Sequence, residues 1–140
     1  MGEFRRDPAD WLRRLSPDEW IRAALGELRR ASAAYERGDL RGGAAGLKRA
    51  AGMGLNAALL VEPNEAWGRS YVEHVEALAV DEAVPEAVRA AARAVLEARM
   101  PGGDVVHLRT PRTHEQEVDA ARDVIAHAWA VVKRHEAARR

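Results

Sequence analysis

The chain has 140 residues, 22 basic against 22 acidic side chains and an apolar fraction of 47%, enough for one core in one domain and too balanced for a strong non-specific nucleic-acid binder. No apolar run is long enough to span a membrane, and residues 1–7 lack the apolar stretch of a secretory signal. Cysteine is absent, which excludes disulfides, thiol catalysis and the common zinc motifs and suits a reducing, cytoplasmic setting.

In chain order, Asp7-Pro8-Ala9-Asp10 reads as an N-cap with proline at the first helical position, so residues 1–15 are expected to be a short helical extension through Trp11 and Leu12. Ser16-Pro17-Asp18-Glu19 is a capping box with Leu15 and Trp20 placed as a hydrophobic staple. Its helix carries Trp20, Leu28, Ala31 and Tyr35 on one stripe and runs to about Arg37, where Gly38 supplies a left-handed C-terminal residue. Asp39 caps a second helix striped with Leu40, Ala44, Leu47, Ala51, Leu55 and Leu59. So short a turn makes the two helices an antiparallel hairpin.

The second helix holds Gly42, Gly43, Gly46, Gly52 and Gly54. Each costs about 1 kcal/mol against alanine inside a helix. Close approach of another helix, within the bundle or across a two-fold interface, is the compensation this predicts. Residues 63–70 are ambiguous. Ser70-Tyr71-Val72-Glu73 caps a helix ending near Val80. Val84-Pro85 opens another with Val88, Ala92, Val95 and Arg99 on one side, and Met100-Pro101-Gly102-Gly103 stops it. Val105 to Leu108 is too short to assign. Thr113-His114-Glu115-Gln116 caps the closing helix, striped with Val118, Ala121, Ile125, Trp129 and Val132 and running to about Glu136. No segment alternates for long enough to make a sheet. The fold class is all-α: an antiparallel up-and-down bundle of four to five helices with a long N-terminal hairpin, residues 16–140 forming a single domain.

Arginine outnumbers lysine 20 to 2, so guanidiniums are at hand wherever a phosphate is bound. Arg41, Lys48, Arg49 and Arg112 are the candidate binding cations. Histidines 74, 107, 114, 127 and 135 include no i, i+4 pair of the kind that grips zinc on one helix, so no metal and no cofactor is expected. Ser16 and Ser70 are explained as caps, and no Gly-x-Ser-x-Gly elbow is present. The glycines lie in a helical pattern rather than in a phosphate-cradling turn.

The hairpin turn Tyr35-Glu36-Arg37-Gly38-Asp39-Leu40 and the Ala-rich run Ala50-Ala51-Gly52-Met53-Gly54-Leu55-Asn56-Ala57-Ala58-Leu59-Leu60 resemble the opening of HEPN domains (higher eukaryotes and prokaryotes nucleotide-binding). The segment Leu108-Arg109-Thr110-Pro111-Arg112-Thr113, and a closing helix with Ala120-Ala121-Arg122-Asp123-Val124-Ile125, are similar to the same family. The chain departs from it where Gly52 and Asn56 stand in place of a glutamate and a lysine, which weakens any site those groups support.

The resemblance implies one of two activities. Many members are metal-independent RNA endonucleases, toxin-like in action, with an Arg-(four to six residues)-His motif paired across a dimer. Others lack the motif and are binding partners of nucleotidyltransferases. Arg-x4-His occurs here three times, as Arg69/His74, Arg109/His114 and Arg122/His127, a frequency that the arginine content alone explains. Five steps along a helix rotate about 140°, so Arg122 and His127 diverge, with His127 expected toward solvent. Arg69/His74 crosses a helix start and is the second choice. Arg109/His114 is the best placed, with a loop arginine and a histidine in the first turn of the last helix. A helix N-terminus, however, pushes a histidine toward neutrality and hampers it as a general acid. The expectation is therefore a non-catalytic HEPN-like binding module, a homodimer, partnered with a nucleotidyltransferase or RNA. The alternatives are the nuclease acting through Arg109 and His114 and a helical scaffold of another kind.

Overall fold

The computed structural model describes residues 4–98 and 111–139. The described chain is all-helical: α1 (Pro17–Glu36), α2 (Leu40–Val61), a single 3₁₀ turn (Glu65–Trp67), α3 (Tyr71–Ala79), α4 (Glu86–Glu97) and α5 (Pro111–Ala138). No strand occurs among the described residues.

Local signals set the hairpin. Ser16 Oγ accepts from the Glu19 amide at 3.2 Å, and Glu19 accepts from the Ser16 amide at 2.9 Å, so two orphan donors at the α1 N-terminus are satisfied reciprocally. The Ser16 amide, then the Arg6 guanidinium, hold the Glu19 carboxyl down at about 2. At the other end Gly38 takes φ +83°. Its amide donates to the Tyr35 carbonyl at 3.0 Å, and the Asp39 amide donates to the Ala34 carbonyl at 2.8 Å. This pair of bonds is the Schellman arrangement, and the positive φ is why glycine stands there. Asp39 Oδ1 then accepts from the Gly42 amide at 2.8 Å and starts α2.

α2 is the central helix. It is buried on nearly every side from Gly43 to Leu59 and packs against α1, α3, α4 and α5. The glycines let it do so. A Cβ on Gly46 would lie 2.8 Å from Ala31 Cβ of α1, and one on Gly54 would lie 3.1 Å from Ile125 of α5. The expected stripes form the core, with Trp20, Leu28, Leu47, Leu55, Ala121 and Val132 each buried.

Two expectations need correction. Residues 7–15 form turns, not a helix. Asp7 Oδ1 accepts from the Ala9 amide at 3.0 Å, and Asp10 Oδ1 accepts from the amides of Leu12 at 2.8 Å and Arg13 at 3.1 Å. Each aspartate takes local amides in an Asx turn, and the helix that Asp7 was expected to start does not form. The segment is an irregular strap of turns, pinned where Trp20 Nε1 donates to the Leu12 carbonyl at 2.8 Å. Second, α5 begins at Pro111, two residues before the expected Thr113 cap, because proline pre-sets the dihedral of a first helical residue. α4 opens at Pro85 as expected, without a side-chain cap, and Glu86 in its first turn pairs with Arg89 and Arg93. The stop at Met100–Gly103 and the unassigned stretch 105–108 lie outside the described residues.

Candidate functional site

The three Arg/His pairs occupy three different surroundings. Of Arg109/His114, Arg109 lies outside the described residues. His114 sits in the first turns of α5 with its ring flat on Tyr35, centroids 4.4 Å apart and planes at 16°. Its Nε2 is closed off from solvent and has no hydrogen-bond partner. Tyr35 is itself buried and donates its hydroxyl to Glu117 at 2.9 Å. Gly43 of α2 presses on the Tyr35 ring, where a Cβ would come within 2.7 Å. Residue types at the ends of three helices thus converge: a glycine that lets the ring in, a tyrosine that fills the gap and a histidine that covers it.

Arg69 and His74 meet through Trp11 of the strap. The Arg69 guanidinium lies 6.0 Å from the Trp11 ring centroid, and the His74 ring stacks on Trp11 at 5.8 Å. His74 is 0% exposed. Its Nδ1–H donates to the Trp67 carbonyl at 2.9 Å, which fixes the neutral tautomer and leaves Nε2 as a lone pair that neither protein nor solvent reaches. Burial pushes the His74 pKa below its ordinary 6.5, against smaller upward pulls from the Trp67 carbonyl and Glu73.

Arg122 and His127 separate as the helical rotation requires. Arg122 is exposed and pairs with Asp119 at 2.7 Å. His127 is half-buried rather than pointed at solvent. Burial, then Arg134, lower its pKa, with Glu62 and Asp81 pulling the other way.

A stability prediction follows from the two depressed histidines. Their folded pKa values lie below the unfolded value near 6.5, so below that pH the unfolded chain binds protons that the folded chain does not. Stability is therefore full above pH 6.5 and declines as pH falls through that value toward the folded pKa values. Urea melts across this window should show the decline. His74→Gln, which keeps a donor for the Trp67 carbonyl, should flatten it, with only the His127 share left. An unchanged slope in the variant would show that His74 does not titrate in this way.

The four candidate binding cations do not form one patch. Lys48 Nζ donates to the Ala98 carbonyl at 2.9 Å, where it satisfies an end carbonyl of α4. Arg49 pairs with Glu27 at 2.8 Å, Arg41 is exposed, and the Arg112 side chain lies outside the described residues. Of the two polar-to-other departures in α2, Gly52 lies against Tyr71 and Asn56 is buried with Oδ1 unpartnered. No group of three or more His, Asp or Glu side chains suited to a metal occurs among the described residues.

Sequence reasoning missed a cleft of about 1130 Å³ between the strap, the end of α2 and the end of α5. Leu12, Leu60, Val61 and Val132 give it an apolar floor, and Arg5, Arg13 and Arg139 stand around it together with Asp10, Asp18 and Glu136. One wall of it is the strap, from Phe4 to Arg13. A signal was present in Asp10, two residues before Leu12 and spaced for an Asx turn. No family model, no curated protein and no solved structure matches this chain.

Proposed function

We propose that the chain is a non-catalytic binding module of HEPN type, cytoplasmic and homodimeric, whose partner is a nucleotidyltransferase or RNA. The observation that carries this reading is the fate of two candidate histidines. His74 and His114 each lie against an aromatic ring with Nε2 closed to solvent and unpartnered. A general acid or base must reach the proton it moves within hydrogen-bond distance; His74, whose Nδ1 is held by the Trp67 carbonyl, offers no free nitrogen, and His114 has its Nε2 closed off. The Arg122/His127 pair supports the same reading, since one unbroken helix turns its two members apart. No helix among the described residues is long and apolar enough to cross a membrane.

The test is RNA cleavage in EDTA by the purified chain, compared with His114→Ala and Arg109→Ala. No cleavage of single-stranded RNA or tRNA is expected. Cleavage by the wild type that both variants lose would establish the nuclease instead. Cleavage unchanged in both would send the test to Arg69 and His74. A small nucleotidyltransferase encoded beside this chain and co-purifying with it separates the protein partner from RNA.

A further inference from the structure

The strap is closed on itself and rests on a buried histidine. The Asp7 amide donates to the Arg13 carbonyl at 3.1 Å. The Arg6 guanidinium donates to the Arg14 carbonyl at 2.9 Å, and Arg13 Nε donates to the Arg5 carbonyl at 3.2 Å. These bonds tie residues 5–7 to residues 13–14, so the loop between them carries its own bonds and can move as a unit. Its contacts with the bundle are of two kinds. Trp11 at the tip stacks on the His74 ring. Nearer the base, the Leu12 carbonyl accepts from Trp20 Nε1, Arg6 pairs with Glu19, and Arg14 lies over the Trp20 ring.

His74 is the partner in the tip contact that changes charge near neutral pH. Its Nδ1–H is held by the Trp67 carbonyl, and its Nε2 is closed off without a partner. A proton added at Nε2 lies in the plane of the ring, where a stacked indole offers it no acceptor. The face of Trp11 does attract cations, but it already carries the Arg69 guanidinium. Other charges give little help. Glu73 of α3 favours the proton, less strongly than burial opposes it. Asp10 of the strap is engaged with local amides, and Arg89 and Arg93 of α4 are held by Glu86. α2 brings no charged side chain from Ala50 to Val61. An imidazolium at this position therefore needs water at Nε2. The α2 and α3 side chains around it belong to the core, whereas Trp11 and Leu12 are half-buried. The strap is the side that yields at least cost.

We propose that the strap is a proton-released latch: a proton on His74 lifts Trp11 from the imidazole, frees the tip of the loop and opens the cleft at the wall that Trp11 helps to line. The sign follows from linkage. In the released state His74 meets water and regains its ordinary pKa near 6.5, above that of the docked state. Below that pH the released state binds a proton that the docked state lacks, so release grows as pH falls and docking is strongest above it. The base of the loop does not titrate in this range. The Ser16 amide, then Arg6, hold the Glu19 carboxyl at about 2, and the Leu12 and Arg13 amides hold Asp10 below its ordinary value. The bond from Trp20 to the Leu12 carbonyl has no titratable member. Release is therefore local, a loosened tip on a base that stays attached.

The chain has no cysteine, so a nitroxide attached through Ala9→Cys, at an exposed strap position, reports the loop alone. Electron paramagnetic resonance of the full chain is followed from about pH 7.5 to about pH 5. The mobile component should grow by up to about tenfold per pH unit, the limit for one proton, while circular dichroism stays helical. His74→Gln should remove this growth, and Trp11→Ala should give a mobile label throughout. A reciprocal measurement leaves His74 in place. The midpoint of its ring titration by NMR should rise toward 6.5 in Trp11→Ala, because an uncovered ring gains its proton without releasing anything. A label indifferent to pH would overturn the latch. So would growth that His74→Gln retains, which would point to another group such as His135 of the cleft. A midpoint that stays or falls in Trp11→Ala would show that the indole supports the imidazolium, and would overturn the latch as well. Mobility that grows only as helical circular dichroism is lost would replace local release by global unfolding.

Discussion

Leu47→Asp is expected to leave no cooperatively folded protein at neutral pH. Leu47 is 0% exposed, in the middle of α2 where it packs into the seam with α1. Deleting its side chain to alanine removes a buried isobutyl group and leaves a cavity, a loss of about 2–5 kcal/mol. Aspartate adds a carboxylate with no cation and no donor among the apolar side chains of the core. Leaving a buried charge unpaired costs roughly 3–5 kcal/mol more. Together these come to about 5–10 kcal/mol, comparable with the roughly 5–15 kcal/mol that holds a domain of this kind folded. The near-neighbour comparison is Leu47→Ala, which should melt earlier in urea but still in one transition. A Leu47→Asp protein that retains wild-type helical circular dichroism and a cooperative melt would show that the hairpin seam can open to water at this point.

The parts of this fold that were legible in the sequence are those fixed by bonds between near neighbours. The Ser16/Glu19 and Ser70/Glu73 boxes close within four residues. Gly38 and Asp39 turn the chain with bonds no longer than five residues. Their chemistry is complete before any helix meets another, so pattern and cap agree on the answer. The glycines of α2 were legible as a need for close approach, and the neighbours at Gly43, Gly46, Gly52 and Gly54 are side chains or backbone of this same chain.

What the sequence hid depends on contacts between distant residues. The strap runs in turns rather than as a helix because Asp7 and Asp10 hold its amides while Trp11 and Leu12 are captured by His74 and Trp20, more than sixty and eight residues away respectively. The burial of His74 was readable in part. Tyr71, Val75 and Leu78 share its helical face, and a histidine among them points inward. Its stacking partner was not readable, because Trp11 arrives from an element assigned the wrong shape. The same holds for His114: its place in the first turns of α5 follows from Pro111, but the Tyr35 ring beneath it comes from the other end of the chain.

Gly52→Ala is expected to destabilise the protein by about 1–3 kcal/mol even though it improves the intrinsic helix propensity of α2. An ideal Cβ at position 52 would lie 2.2 Å from Tyr71 Cβ and 2.5 Å from Tyr71 Cα. The second of these is backbone at the first residue of α3, so no rotation of a side chain relieves it. α3 must move away from α2, and with it His74, Val75 and Leu78, all fully buried. The gain of about 1 kcal/mol from replacing a helical glycine is then outweighed by overpacking against a rigid neighbour. Gly26→Ala in α1 isolates the propensity term. There a Cβ meets nothing nearer than the Arg29 guanidinium at 3.6 Å, the flexible end of an exposed side chain. That variant should gain up to about 1 kcal/mol. Urea melts of the two variants should therefore move in opposite directions from the wild type. If Gly52→Ala melts with or above Gly26→Ala, α3 does not lie against α2 at Tyr71, and the stack that holds the strap through His74 and Trp11 loses its support.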